Sequence, residues 1–218
     1  MLKAPKSGFT LIELLVVIAL MGLLVGGIGF SMRGGTGKAI EASQRIAIGM
    51  LQNARNQAIM HGTRGRLIIN ADKADPDKYL RQFGVIYEDS SKTNYWLATG
   101  RGELLPSNIR FVPNYGTNNF SHNGTEGKLD GMRLDYPQKK PQKEGSGSEY
   151  YYYEFTSSGT FYNSLAAFIV GEGIYNPASS QSDKIDWDRL SLAGFKILKT
   201  GGTIQYPEPS LIKGFGDE

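Results

Sequence analysis

The longest apolar run of the chain lies near its N-terminus. From Phe9 to Phe30 the sequence reads FTLIELLVVIALMGLLVGGIGF, in which Thr10 and Glu13 are the only strongly polar side chains. A helix of these 22 residues would extend about 33 Å, which is enough to cross the hydrocarbon core of a bilayer. The pattern predicts a transmembrane or assembly helix over residues 9–32.

Glycines accumulate where this run ends, at positions 22, 26, 27, 29, 34, 35 and 37. Each glycine costs a helix interior about 1 kcal/mol relative to alanine, so we expect a glycine-rich break over residues 33–37. Two interpretations of the break remain open: a hinge that lets the helix repack in an assembly, and a plain linker.

A second, amphipathic helix is predicted over residues 38–62. Its apolar and small side chains form one stripe: Ile40, Ala47, Leu51, Ala54 and Ala58. Polar side chains lie on the opposite face: Arg45, Gln52 and Asn56. The alanines would let a sheet lie close to the helix, and Gly62 is placed to end it.

Residues 63–218 predict a β-rich globular domain. The candidate strands are Thr63–Asn70, Leu80–Glu88, Asn94–Thr99, Ile109–Val112, Glu149–Thr156, Leu165–Val170, Leu192–Lys199 and Thr203–Tyr206. No amphipathic helix lies between them, which favours a mainly antiparallel sheet. The predicted fold class is therefore α+β, with a long N-terminal helix, membrane-spanning in its first half and amphipathic in its second, packed on that sheet.

Residues 114–148 interrupt the strand pattern with many Asn, Gly, Lys and Pro residues and few large apolar ones. Such a composition cannot build a core of its own, so we expect a polar, partly mobile surface insertion. A shorter excursion of the same kind is expected over residues 176–188.

The composition excludes several classes of function. The chain has no cysteine and two histidines, so disulfides, thiolate metal sites and histidine-based catalytic sets are excluded, and no phosphate-binding loop occurs. Aspartates cluster at 72, 75 and 77 and at 183, 186 and 188, but neither cluster has the spacing of a calcium loop. We expect no enzymatic activity, no cofactor, no metal and no small-molecule substrate.

Net charge also argues against a nucleic-acid partner. The chain carries +3, and removal of residues 1–8 takes away Lys3 and Lys6 and leaves +1.

The N-terminus combines these two lysines with an apolar run that contains a carboxylate. On hydropathy alone the segment would be an uncleaved signal anchor, since a cleaved secretory signal has a shorter apolar region. A charged side chain at bilayer depth costs about 2.5–3.5 kcal/mol, which usually marks a function for that residue. Glu13 therefore requires an explanation that a simple anchor does not provide.

The stretch KSGFTLIELL, residues 6–15, resembles the class III signal of type IV pilins and pseudopilins. The resemblance implies that a prepilin peptidase cuts after Gly8 on the cytoplasmic side and that the new N-terminal Phe9 is methylated. It also implies that Glu13 is the glutamate at the fifth mature position. Pairing of the Glu13 carboxylate with the Phe9 amine of a neighbouring subunit would offset the cost of burying both charges and would set the register of assembly.

Further stretches resemble the H-type minor pseudopilins of type II secretion and related minor type IV pilins. They are the helix-to-strand junction LQNARNQAIMHGTRGRLII, the LPSNI turn at 105–109 and the YEFTSSGT hairpin at 153–160. The resemblance implies a minor pseudopilin of a type II secretion pseudopilus, taking part in protein secretion across the outer membrane. The alternative is a minor type IV pilin for pilus assembly or DNA uptake.

This assignment carries expectations about location and partners. The protein would be a single-pass protein of the bacterial inner membrane with a periplasmic C-terminal domain, incorporated into a pilus-like filament. Its partners would be the prepilin peptidase and other pilins or pseudopilins.

The processed chain should start at N-methyl-Phe9, because the Gly8–Phe9 junction lies between the basic leader and the apolar run. Intact-mass measurement of protein from native membranes checks this start. A chain that still begins at Met1 in cells with active prepilin peptidase, or one cut beyond Phe30, would contradict the assignment.

Overall fold

The computed structural model describes residues 11–12, 14–18, 21, 35–113, 130–162, 165–181 and 183–206. The chain divides into two compact units, Met1–Lys38 and Ala39–Glu218. The expected leader over residues 1–8 lies outside the described residues.

Helix α1 spans Gly35–His61. It begins earlier than the sequence predicted, so the expected break over 33–37 is wrong for Gly35–Gly37. Glycine weakens a helix, but adding a residue to an existing helix costs much less than starting one. The C-terminal end is as predicted, because Gly62 has a φ of 63° and Thr63 N–H donates to the carbonyl of Ala58 at 3.1 Å.

The strands among the described residues are β1 Gly65–Asn70, β2 Gln82–Glu88, β3 Tyr95–Ala98, β4 Glu103–Leu104, β5 Ile109–Phe111, β6 Gly131–Leu134, β7 Gln142–Lys143, β8 Ser148–Phe155, β9 Leu165–Tyr175, β10 Ile185–Leu198 and β11 Thr203–Tyr206. They form two sheets. The larger has the order β6-β8-β1-β2-β3-β7, with β4 also paired to β2, and the smaller has the order β11-β10-β9-β5. All of these strand pairs are antiparallel. The predicted α+β class with antiparallel sheets is confirmed.

The main core lies between α1 and the two sheets. The predicted stripe of Ile40, Ala47, Leu51, Ala54 and Ala58 is buried there. Aromatic side chains join the sheets: Phe83 of β2 meets Phe168 of β9 edge to face, with ring centroids 5.6 Å apart. The hydroxyl of Tyr153 on β8 donates to the carbonyl of Ala167 on β9 at 2.9 Å.

The helix approaches the larger sheet closely at Gly65. A Cβ at this position would lie 2.3 Å from the carbonyl oxygen of Ala54 and 2.9 Å from the Cβ of Ala58. The small residues of the stripe therefore allow the contact that the sequence predicted, and Gly65 completes it from the strand.

Polar side chains of α1 attach the helix to strand β10 and to the β10–β11 turn. The Gln44 side-chain amide donates to the carbonyl of Gly194 at 2.6 Å, and that of Gln52 donates to the carbonyl of Gly201 at 3.2 Å. Gln52 is half-buried and so does not lie on the solvent face where the helical pattern placed it.

The larger sheet buries side chains on its other face as well. This outer face, opposite α1, is formed by Ile68, Ile86, Trp96, Met132, Leu134 and Tyr150. The four tyrosines at 150–153 alternate between the two faces as predicted for a strand, and all four are buried or half-buried. Both faces of the sheet are therefore covered.

The predicted insertion over 114–148 needs a correction. Residues 114–129 lie outside the described residues, but β6 and β7 belong to the larger sheet, and Met132 and Leu134 are buried in its outer face. Four residues with alternating burial are enough to extend a sheet, and the polar composition around them hid this pattern.

The excursion expected over 176–188 is also shorter than predicted. β9 continues to Tyr175 and β10 begins at Ile185, with a shift in register between Trp187 and Leu192. Gly171 and Gly173 provide space for these side chains, since a Cβ on Gly171 would lie 2.3 Å from Leu192 Cδ2.

Gly65→Ala should destabilise the fold by about 1–3 kcal/mol, because the new methyl group overlaps the backbone of α1. The matched change Gly49→Ala, on the exposed face of the same helix with no atom within 4 Å of its Cβ, should stabilise it by about 0.5–1 kcal/mol. Urea unfolding of the full-length protein in detergent measures both. Equal effects of the two changes would contradict the close approach.

Candidate functional site

A network of charged side chains is buried on the outer face of the larger sheet. Arg66 on β1 lies opposite Glu154 on β8 in the strand register. Its Nε lies 2.6 Å from Glu154 Oε2 and its Nη1 lies 3.0 Å from Glu144 Oε2. The Arg66 side chain is only 5% exposed, so the two carboxylates compensate a cation that solvent hardly reaches.

Arg64 extends the network towards the β2–β3 turn. Its guanidinium binds Glu88 in a bidentate pair, with Nη2–Oε1 at 2.5 Å and Nε–Oε2 at 2.9 Å. Glu88 Oε1 also accepts the backbone N–H of Asn94 at 2.7 Å. Arg64 Nη1 lies 3.7 Å from Glu154 Oε2, which connects the two arginines through one carboxylate.

Two aromatic rings enclose the Arg66 guanidinium. Its central carbon lies 4.0 Å from the centroid of the Trp96 ring and 3.9 Å from that of Tyr152. The Trp96 indole N–H donates to Glu144 Oε2 at 3.2 Å. Glu144 therefore binds both the cation and one of the rings beside it, an arrangement that combines charge pairing with cation–π contact.

The pairing changes the acidity of two of these groups. The hydrogen bonds donated by Arg64 lower the pKa of Glu88 below its ordinary value, against the opposing effect of burial. The same hydrogen bonds raise the pKa of Arg64. The charged forms of both residues are thus the stable ones in the folded chain.

A second pair of buried arginines holds loops together. Arg81 donates to the carbonyls of Leu105 and Asp77, and Arg110 donates to those of Gly173 and Tyr79. Burial lowers the pKa of Arg110 to about 10, which still leaves the guanidinium charged near neutral pH. These contacts are structural, because both arginines bind backbone carbonyls.

The two aspartate clusters of the sequence are engaged in local turns. Asp75 pairs with Lys78 at 2.6 Å, and Asp72 Oδ1 accepts the backbone N–H of Ala74 at 2.9 Å. Asp183 accepts the Trp187 indole N–H at 2.7 Å, and Asp186 accepts the Asn176 amide at 2.6 Å. Among the described residues, no three His, Cys, Asp or Glu side chains are arranged to hold a metal ion.

The described part of the N-terminal segment is helical and apolar all round. Its large side chains are between 43% and 81% exposed: Leu11, Ile12, Leu14, Leu15, Val16, Val17, Ile18 and Met21. A helix that exposes apolar side chains on every face needs lipid or neighbouring helices to cover them. Within the part of the chain that the structure describes, no helix is both long and apolar enough to cross a membrane.

Comparison with known families gives the identity of this segment. Residues 3–29 match the family described as the prokaryotic N-terminal methylation motif. The chain has a prepilin-type N-terminus. This methylation motif confirms the class of signal that residues 6–15 predicted, and its range includes Gly8, Phe9 and Glu13. These three residues lie outside the described part of the structure, so their roles stay predictions.

Comparison with solved structures finds the minor pseudopilin EpsH from the type 2 secretion system of Vibrio cholerae. The match has a TM-score of 0.37 and 13% sequence identity, and it covers 77% of this chain and 95% of that chain. No curated protein matches the sequence.

The sequence pattern did not predict the network of ion pairs around Arg66. A signal was present, because Arg64, Arg66 and Glu154 interrupt strands whose other residues are mostly apolar or aromatic. Their pairing depends on the strand order that brings residues 88 positions apart into register, and this order is not visible in the local pattern.

Acid should destabilise the fold through Glu88. Since its pKa is lowered by folding, its contribution to stability is complete above pH 4.5, its ordinary value, and is lost as the pH falls through the lower folded value. Glu88→Gln should reduce stability at pH 7 and flatten its decline below pH 4.5. Urea unfolding between pH 3 and 7 measures this, with the exposed Glu103→Gln as the control. An unchanged acid slope in Glu88→Gln would refute it.

Proposed function

We propose that this chain is a minor pseudopilin, a non-catalytic structural subunit of the short filament of a type II secretion system. The observation that carries the proposal is the methylation motif over residues 3–29. It is supported by the sequence stretches around residues 51–69, 105–109 and 153–160 that resemble H-type minor pseudopilins. The subunit would take part in protein secretion across the outer membrane.

In this proposal the chain is inserted in the bacterial inner membrane by residues 9–32, with residues 63–218 in the periplasm. Prepilin peptidase cuts between Gly8 and Phe9 and methylates the new N-terminus. The exposed apolar side chains at residues 11–21 favour this arrangement, because lipid covers them before assembly and neighbouring helices cover them in the filament.

Glu13 then acts in assembly rather than in membrane insertion. After cleavage, the amine of Phe9 has an ordinary pKa of about 7.7–8.0 and is largely charged at neutral pH. The Glu13 carboxylate of one subunit pairs with the Phe9 amine of the next, which stabilises one axial register of the bundled helices. The methyl group leaves the amine basic, so the pair persists in the processed protein.

The domain that α1 and the sheets form suits a subunit that has to transmit force. Its cation–carboxylate network on the outer face and the hydrogen bonds from α1 to Gly194 and Gly201 join distant parts of the chain. The hydrogen bonds of Gln44 and Gln52 tie α1 to strand β10 and to the β10–β11 turn within this domain.

One observation favours the alternative of a minor type IV pilin for DNA uptake. Lys139, Lys140 and Lys143 are exposed within five positions of one another, and Arg133 is exposed on strand β6. A DNA receptor that uses them should show an affinity that falls steeply with salt, with a slope set by the number of phosphate contacts. A flat or absent salt dependence for the full-length protein in detergent would exclude this alternative.

Replacement of Glu13 by Ala should leave membrane insertion and cleavage intact but prevent docking into the filament. The Phe9 amine of the neighbour would then be buried without its partner, a defect of about 3–5 kcal/mol for a broken buried pair. The measurement is cross-linking of the processed subunit to other pilins in native membranes.

The matched variant Glu13→Asp keeps the charge but shortens the side chain by one methylene, so it should give intermediate cross-linking. If Glu13→Ala is processed and still cross-links as efficiently as the wild type, the carboxylate does not set the register of assembly.

A further inference from the structure

Residues 135–147 form a strap across the outer face of the larger sheet. The ring of Tyr136 lies over Gly84, where a Cβ would come within 2.5 Å of the ring. Farther along, Gln138 donates its side-chain amide to the carbonyl of Trp96 at 3.1 Å. Near the C-terminal end of the strap, Glu144 binds Arg66 and Trp96.

Backbone hydrogen bonds hold the strap at two points near its C-terminal end, where the N–H of Glu144 donates to the carbonyl of Asn94 at 3.3 Å and that of Gly145 donates to the carbonyl of Arg133 at 2.8 Å. The only strand of the strap among the described residues is β7, which pairs with β3 through two residue pairs, Tyr95–Lys143 and Trp96–Gln142. The side-chain oxygen of Gln138 is buried without a hydrogen-bond partner. A segment with one short strand, one large apolar contact and an unsatisfied polar atom belongs to the less stable parts of a fold.

Glu144 makes the strongest interaction of the strap. Its side chain is 36% exposed, whereas that of its partner Arg66 is 5% exposed. The strap therefore inserts a carboxylate from the solvent side into a site whose cation and aromatic rings belong to the sheet beneath. Arg66 keeps Glu154 as a partner when Glu144 leaves, since both lie on central strands.

The site beneath the strap is preformed for a carboxylate on an extended chain. The Trp96 and Tyr152 rings hold the Arg66 guanidinium in place, and the Trp96 indole N–H provides a second donor at 3.2 Å from the carboxylate. The adjacent strand β3 offers its edge to a further strand beyond the two residues that β7 pairs. Addition of a strand to such an edge is a common way of binding peptides.

We propose that the strap is displaceable and that it occupies, through Glu144, a binding site for an acidic extended segment of another protein. Displacement exchanges one carboxylate for another at Arg66 and Trp96 and one strand for another at the edge of β3. All residues of the site belong to the β-rich domain, so the proposal does not depend on which type of filament the subunit joins.

The first test asks whether the strap opens without the rest of the sheet. Hydrogen exchange of the full-length protein in detergent is compared for the wild type, Glu144→Gln and Glu149→Gln. Glu149 is the matched control, because it is an exposed glutamate that lines the same surface cleft as Glu144. In Glu144→Gln the amides of residues 142–145 should exchange about tenfold faster than in the wild type. A factor of this size corresponds to the stability that a hydrogen bond to a charged group contributes.

Amides of β1 and β8 should keep the wild-type rate in all three proteins. The proposal is overturned if the strap amides exchange only at the rate of β1 and β8, because the strap then opens only with the whole sheet. It is equally overturned if Glu149→Gln accelerates the strap as much as Glu144→Gln does.

The second test asks whether the opened site binds a carboxylate. The indole N–H resonances of the two tryptophans are followed by NMR in full-length Glu144→Gln while an acetylated peptide of residues 140–147 is added. The peptide with glutamate should move the Trp96 resonance saturably towards its wild-type position. The same peptide with glutamine in place of glutamate should bind at least tenfold more weakly.

Trp187, which donates to Asp183, is the internal control and should not move. Equal binding of the two peptides, or binding of neither, overturns the proposal, because Arg66 and Trp96 would then not form a carboxylate site.

Discussion

The contact between α1 and β1 at Gly65 is the constraint on which the rest of the domain depends. Strand β1 is central in the larger sheet, with β8 on one side and β2 on the other. Because the backbone of β1 contacts α1 there, one face of the larger sheet packs against the helix. Successive side chains of β1 point to alternate faces, so Arg66 and Ile68 lie on the opposite face. The position of the charged network thus follows from the absence of a side chain at a single residue.

The assignment of the two faces of β1 also fixes its register with β8. A slip of one residue between β1 and β8 would move Arg66 towards the apolar core and Leu67 towards the carboxylates, so each misregistered state would bury an unpaired charge. Charged side chains are expensive in the interior of a sheet. In β1 the pairing of Arg66 discriminates between registers, whereas the apolar residues Leu67, Ile68 and Ile69 are nearly interchangeable.

The local pattern of apolar and polar residues predicted much of this fold. The burial of Ala47, Leu51 and Ala54 followed from helical periodicity, and strands β1, β2, β3, β5 and β8 lie within two residues of their predicted bounds. What local pattern missed depends on tertiary contact. Residues 131–134 gain their strand from β8, and Gly35–Gly37 continue a helix whose later turns already exist. Gly8, Phe9 and Glu13 could be proposed as functional residues from the sequence because they lie in one contiguous motif. The cluster around Arg66 could not, because three strands and the strap bring its members together.

The hydrogen bonds from α1 to strand β10 and the β10–β11 turn affect how the protein can fold. Gln44 binds the carbonyl of Gly194, 150 residues later in the sequence, and Gln52 binds that of Gly201. Because such long-range contacts close large loops, they form late and slow the folding reaction. During synthesis Gln44 and Gln52 of α1 therefore cannot complete these contacts until the β10–β11 hairpin has emerged. A chaperone that binds amphipathic helices would have its longest opportunity in that interval, before β10 and β11 pair.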